Sequence, residues 1–297
     1  MLSGTAKGLR LILAASLLFV TAAWLVPLTF LGVHSLSHWN PAKAAFTAWP
    51  NSEAYRIAFR PDRLIKLWSV FRRSFILATV ESIIALPFSW VLVRRISTAG
   101  RRAALACITV PFFCSPFVRG FGWRLLLQRN GPLSELLAML HAGPPGGLSL
   151  VFNEYAVQLA LFSGTFAFAV FPLFIAMSQI PENIWYASES CGAHGPQELL
   201  HIALPLSRNA LGFAWSSVFL TIVGSSAEVW LVGGSSQHSL TTSIAELFDA
   251  NQLPAAFALG LIAFAISALS SVAAVVIVQS AFRGPVEISR NAPEAVL

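Results

Sequence analysis

From Leu11 to Leu31 the chain runs LILAASLLFVTAAWLVPLTFL without one charged residue. About twenty apolar residues in helical form match the hydrocarbon thickness of a bilayer. In that medium a backbone satisfies its own N–H and C=O groups only as a helix or a closed barrel. The run is longer than the apolar core of a cleaved secretory signal, and Lys7 and Arg10 precede it, so it is expected to stay as a first membrane helix. Composition extends the constraint to the whole chain. Of 297 residues 56% are hydrophobic and 11% charged, where a soluble domain carries about a quarter charged residues. That leaves too little polar surface to cover a water-exposed globule.

Six segments have the length and apolarity of spans: 9–32, 71–93, 103–127, 155–180, 209–232 and 254–282. The fold class is therefore all-α, an integral membrane protein of six transmembrane helices. The expected organisation is one membrane domain over residues 1–297, with first span 9–32, core 71–282 and tail 283–297. Arg94, Arg95, Arg101 and Arg102 crowd the turn after the second span and mark it cytoplasmic. The loop after the fifth span carries Glu246 and Asp249 and no Lys or Arg, so it faces outward. Both termini then lie inside, with Lys7, Arg10, Arg283 and Arg290, and GPPGG at 143–147 turns outside. The long loop after the first span violates the rule, because Lys43, Arg56, Arg60, Arg63, Lys66, Arg72 and Arg73 fall outside. Its PDRLIKLWSVFRR stretch is expected to lie along the membrane surface as an amphipathic helix.

The net charge of +6 resides almost wholly in Arg residues that flank apolar segments. Such a distribution addresses membrane lipid rather than nucleic acid. Cys107, Cys114 and Cys191 have no CxxC spacing, and His194 and His201 have no convergent third ligand, so no metal site is expected.

Between the fourth and fifth spans stands a polar island, YASESCGAHGPQELLHIALPL, from Tyr186 to Leu206. Pro181 ends the fourth span, and Asn183 is expected to cap a short helix through Ser190. Gly192 to Pro196 turns the chain, Gln197 to Ala203 forms a second short helix, and Pro205 begins the return. The expected result is a cytoplasmic helix-turn-helix.

Its spacing resembles the EAA loop of bacterial ABC importer permeases: EAA, three residues, G, nine residues, I, one residue, LP. Here those positions are Tyr186-Ala187-Ser188, then Gly192 followed by Ala193, then Ile202, then Leu204-Pro205. The family's Glu is Tyr186 and its second Ala is Ser188. VPFFCSPFVRGFGWRLLLQRNGPLS from Val110, VFPLFIAMSQIP and VWLVGGSSQHSLTTSIAELF resemble the spermidine/putrescine-type branch, which also includes iron, thiamine and organophosphonate permeases. The resemblance implies a permease subunit in the bacterial inner membrane whose 182–205 loop docks on a cytoplasmic ATPase dimer. It also implies a second homologous permease, a periplasmic solute-binding protein and a small cargo, polyamine in the first instance. The chain has no GxxxxGK[ST], so it is expected to be non-catalytic, to carry no cofactor and to leave ATP to its partners.

Ionisable residues inside a span face protein or water. Glu81, in the second span, is expected to line the solute pathway, to pair with Arg119 or to bond a neighbouring helix. Glu228 stands three residues after Ser225, the position of an acidic residue in related permeases, and on the same helical face. With Trp230 these make the candidate pathway residues Glu81, Ser225, Glu228 and Trp230. Arg119 and Arg124 are expected to snorkel outward, and Trp123 and Trp215 to anchor or pack. The rival classes are a secondary transporter, which calls for interrupted helices with paired charges, and an intramembrane enzyme. The sequence shows neither the interruptions nor HExxH or GxSxG.

Overall fold

A computed structural model describes residues 2–47, 50–129, 131–139 and 150–282. The 143–147 turn and the 283–297 tail, with Arg283 and Arg290, lie outside these residues, as do the side chains of Lys7 and Arg10. The chain forms two compact units. One comprises residues up to Lys66 together with Thr241–Ala265, and the other Leu67–Leu240 with the residues from Ile266 onward.

The first unit begins with α1 (Leu2–Ser35). Leu18 and Phe19 are each 74% exposed and Trp24 69%, the condition of a helix whose neighbours are lipid. A small hairpin follows, β1 (His38–Asn40) against β2 (Ala45–Thr47), antiparallel with Trp39 opposite Phe46. It departs from the all-α expectation because Asn40 Oδ1 accepts from the Ala42 and Lys43 amides and turns the chain back. Phe46 packs against His34 and Phe257, which seats the hairpin on α1 and on the start of α14 (Leu253–Ala281). Helix α2 (Glu53–Ala58) follows the hairpin, and Tyr55 meets Ser35 at 3.0 Å. Helix α3 runs unbroken over Pro61–Arg94. PDRLIKLWSVFRR is therefore the first part of the second membrane helix and not a separate surface helix. The reason is local: between Pro61 and Arg73 no Gly or second Pro interrupts the helix.

The second unit is built around α7 (Glu154–Ser178), whose Ala156, Ala160, Gly164 and Ala167 are buried and small enough for neighbours to approach closely. The third and fifth expected spans are each broken. The third is α4 (Thr98–Phe113) followed, after a sharp bend, by α5 (Pro116–Leu127). Cys114 and Ser115 are extended there, since a proline at 116 disfavours helical backbone in the residue before it and donates no hydrogen bond. The fifth is α11 (Arg208–Gly224) bent by 61° from the segment Ala227–Ser236, which opens with α12 (Ala227–Gly233). Ser225 is extended, and its hydroxyl donates to the Thr221 carbonyl at 3.0 Å, a side-chain bond that competes with the helix. Among the described residues four helices are long and apolar enough to cross a membrane, up to six if each bent pair is one span. Helices α6 (Pro132–Met139), α8 (Glu182–Ser190), α9 (Pro196–Glu198), α10 (Leu204–Leu206) and α13 (Leu240–Asp249) complete the described set.

Three cations of the 35–73 region have partners at its C-terminal end. Lys66 reaches Glu246 at 2.7 Å within the first unit. In the second, Arg72 reaches Glu154 at 2.8 Å, and Arg73 donates to Gln237 and to the His238 carbonyl.

Candidate functional site

Polar groups gather where the broken spans meet α7. Arg119 stands one turn into α5, and Glu228 is the second residue of α12. Their side chains form an ion pair, with Arg119 12% and Glu228 1% exposed. The Arg119 guanidinium also donates to the Pro111 carbonyl at 2.8 Å, closing back across the break. Two glycines make room. A Cβ on Gly120 would meet Leu231 at 2.9 Å and the Glu228 Cα at 3.4 Å, so α5 and α12 lie close together. A Cβ on Gly164 would occupy the place of the Arg119 guanidinium itself. Arg119 thus points into the protein rather than outward, because a buried carboxylate lies within its reach. Arg124 is exposed and lies over the Phe152 ring at 5.6 Å.

One residue along α7 from Gly164, the Thr165 hydroxyl contacts Glu81 Oε1 at 2.6 Å and its own Leu161 carbonyl at 2.9 Å. Glu81 is fully enclosed and Oε2 has no protein partner. Of the expectations for Glu81, a bond to a neighbouring helix is the one observed. Ser225 lies in the break between α11 and α12, so it and Glu228 do not share a helical face. Trp230 is 59% exposed. Trp123 donates to Ser163 at 2.8 Å and Trp215 to Thr79 at 3.1 Å, so both are packing residues tied to neighbouring helices. The four candidate pathway residues therefore divide into two buried carboxylates and two more open side chains. Nearby, α4, α7 and α11 surround an apolar hollow of about 720 Å³, lined by Phe112, Phe113, Phe168, Phe171 and Phe213 with Thr109, Ser217 and Thr221 at its polar points.

The polar island forms a second feature. Helix α8 begins at Glu182 with Pro181 before it, so Asn183 lies inside the helix and does not cap it. The Cys191 amide returns to Ala187, and Gly192 takes φ +80° with open space around it. Gly195 takes φ +56°, and helix resumes at Pro196. Residues Leu199–Ala203 wind as a π-helical turn, with the Leu204 amide donating to the Leu199 carbonyl. Pro205 has no amide to continue the ordinary ladder.

One face of this segment is packed. Trp185, Ala203 and Ile180 join Trp90 and Met177 in an apolar knot, with Ile202 against it, and Leu204 is buried. Ser188 is buried and donates to the Trp185 carbonyl at 2.8 Å. The other face is open: Tyr186 is 61% exposed, and Ala187 and Gly192 are exposed. Ala193 and Pro205 are half-buried. The acids Glu182, Glu189 and Glu198 all turn toward Arg94 at the end of α3. Arg94 entered the sequence reading only as a topology charge, and the aromatic and acidic partners that surround it are close to a hundred positions away.

No family model matches the chain. Among curated proteins it is 24% identical over 192 residues to the spermidine/putrescine transport system permease protein PotB of Haemophilus influenzae, covering 64% of this chain and 66% of that one. It is 25% identical over 176 residues to the inner membrane ABC transporter permease protein YdcU of Escherichia coli, covering 55% of each. It is 27% identical over 175 residues to the sulfate transport system permease protein CysW of Escherichia coli, covering 59% and 58%. The matches span between about half and two thirds of those relatives' lengths. In fold, a chain of a bacterial alginate ABC transporter in complex with a pentasaccharide-bound periplasmic protein superposes with TM-score 0.74 at 12% identity, over 93% of this chain and 95% of that one. A chain of the MetNI methionine ABC transporter gives 0.53 at 17%, over 72% and 95%. The chain is thus similar in sequence to permease proteins of ABC transporters along half its length or more, and in fold to ABC transporter chains along nearly all of it.

Proposed function

We propose that this chain is a membrane-spanning permease subunit of an ATP-driven importer, with six spans, both termini cytoplasmic and residues 1–297 acting as one membrane domain. The observation that carries this is the two-faced build of residues 182–205. One face is fixed to the membrane helices by Trp185, Ala203 and Leu204, while Tyr186, Ala187 and Gly192 stand open on the other. A docking element needs that build, because the partner's movement must reach the spans without loss. Tyr186 in place of the family's Glu makes the contact aromatic and small-residue rather than ionic.

In this reading the chain forms half of a pore with a second, homologous permease. A cytoplasmic ATPase dimer docks on residues 182–205 and supplies the energy, and a periplasmic solute-binding protein delivers the cargo. No cofactor is needed in this chain. Ser225 and Trp230, the more open pair, lie on the solute side, while Glu81 and Glu228 stabilise the wall behind it. The cargo is a small organic cation of the polyamine class, supported by the similarity to spermidine/putrescine permeases.

The test is uptake of labelled putrescine and spermidine by cells with and without the gene, in a strain lacking other polyamine importers. A Gly192→Trp variant serves as the docking control. Loss of uptake in both the deletion and the variant is expected. Unchanged polyamine uptake in the deletion strain removes the cargo, and sulfate is then the next solute to measure.

A further inference from the structure

Arg94 is the last residue of α3, and its three guanidinium nitrogens go to three different carboxylates. Nη2 donates to Glu189, Nη1 lies 3.8 Å from Glu182, and Nε lies 3.7 Å from Glu198. The guanidinium carbon stands 4.9 Å from the centre of the Trp185 ring. Glu182 and Glu189 belong to α8 and Glu198 to α9, so one side chain holds both limbs of the 182–205 segment. Glu198 is completely buried and neither carboxylate oxygen has a hydrogen bond within the protein. A buried carboxylate is tolerated when a countercharge is close, and among the described residues Arg94 is the partner at salt-bridge distance from Glu198.

We propose that Arg94 is the positioning residue that clamps the 182–205 segment to the second span, so that the two move as one body when the ATPase acts. This rests on the reading that the segment docks on an ATPase. Two features of the geometry favour a clamp over a passive surface pair. First, the attachment is to the terminus of a 34-residue helix, so a pull on the segment is delivered along that whole helix. Second, the three arms diverge to two helices on either side of the Gly192–Gly195 turn, which is where a free helix-turn-helix would flex. The apolar knot of Trp90, Met177, Ile180, Trp185 and Ala203 brings the surfaces together. Apolar contact is not directional and permits sliding. The Arg94–Glu189 hydrogen bond is directional, and the charges of Glu182 and Glu198 hold the guanidinium between the two limbs.

The test needs no knowledge of the cargo. In the full complex, Cys107 and Cys114 are replaced by Ser, and spin labels are placed on the native, exposed Cys191 and on an Ile76→Cys variant of α3. The distance between labels is measured without nucleotide and with ATP plus vanadate. With Arg94 present the two distributions should superimpose. With Arg94→Gln they should separate, and Arg94→Lys should behave like Arg94→Gln because one ammonium cannot serve three diverging acids.

If Arg94→Gln strips the ATPase from the complex, the double variant Glu182→Gln with Glu189→Gln takes its place. It cuts two arms at exposed positions and leaves Glu198 its countercharge, and its labels should also separate between states. Superimposed distributions in the variant under test would show that the apolar knot alone holds the segment, and would overturn the clamp. A nucleotide-dependent separation with Arg94 intact would overturn it as well. If the unaltered chain brings down no ATPase, the importer reading itself falls and takes the clamp with it, an outcome distinct from failure of the clamp in an assembled complex.

Discussion

Arg119 and Glu228 form a buried ion pair between the two helices that begin just past the two breaks in the membrane segments. Sequence separates them by 109 positions. In space they join α5 to α12, with Gly164 of α7 giving the guanidinium its place.

Removing one partner leaves the other charged and buried. Arg119→Met or Glu228→Leu should each cost about 3–5 kcal/mol, while the double variant Arg119→Met with Glu228→Leu should recover most of that loss. Thermal unfolding of the purified chain in detergent, read as a double-mutant cycle, checks this. Losses that simply add would show that the pair is not coupled.

Gly164→Ala should destabilise by about 1–3 kcal/mol, since a methyl group there displaces the guanidinium. In an Arg119→Ala background the same substitution should be nearly silent, because the atoms it collides with are gone. An equal effect in both backgrounds would place the cost elsewhere on α7.

Thr165→Val should cost about 1–3 kcal/mol by leaving Glu81 without its hydroxyl partner in a buried site. Combined with Glu81→Leu, the loss should be smaller than the sum of the two single changes. The same detergent unfolding measures it.

Cys191 reports the side of the membrane. With Cys107 and Cys114 replaced by Ser, a membrane-impermeant maleimide should label it in inside-out vesicles and not in right-side-out spheroplasts. Docked ATPase should slow the labelling, since Cys191 lies beside Gly192 on the open edge. Labelling from the outer side would invert the proposed topology.

Gly192→Ala and Gly192→Trp separate strain from docking. Both place a side chain at φ +80°, which costs about 1–2 kcal/mol. The space around Gly192 within the chain is empty, so only Trp should abolish ATPase co-purification. Equal loss with Ala would mean that strain, not docking, is responsible.

Apolar length was enough to find the long apolar helices and the polar stretch between two of them, because a bilayer imposes that length on any chain that crosses it. The turn at Gly192 was legible because a glycine that takes a positive φ acts locally. The break at Ser115 had a visible sign in Pro116, although an apolar window smooths over one proline. The break at Ser225 had only a glycine and two serines, which helices in membranes tolerate. What sequence could not show was pairing: Arg119 with Glu228, Arg94 with three acids, Glu81 with Thr165. Each joins residues that only the packing of α7 and its neighbours brings together. The absence of visible interruptions had counted against a secondary transporter. The interruptions and paired charges are present, so that distinction rests on the relatives and on the build of the 182–205 segment.

An unbroken helix resists bending along its entire length, because each hydrogen bond must stretch. Where Cys114 and Ser115, or Ser225, run extended, no such ladder exists to be strained, and a few backbone torsions set the angle between the two halves. Among the described residues, these two breaks are places where a bent membrane segment can change angle without straining a helical ladder. The ion pair seated just beyond both of them ties α5 to α12, so a change of angle at one break bears on the other.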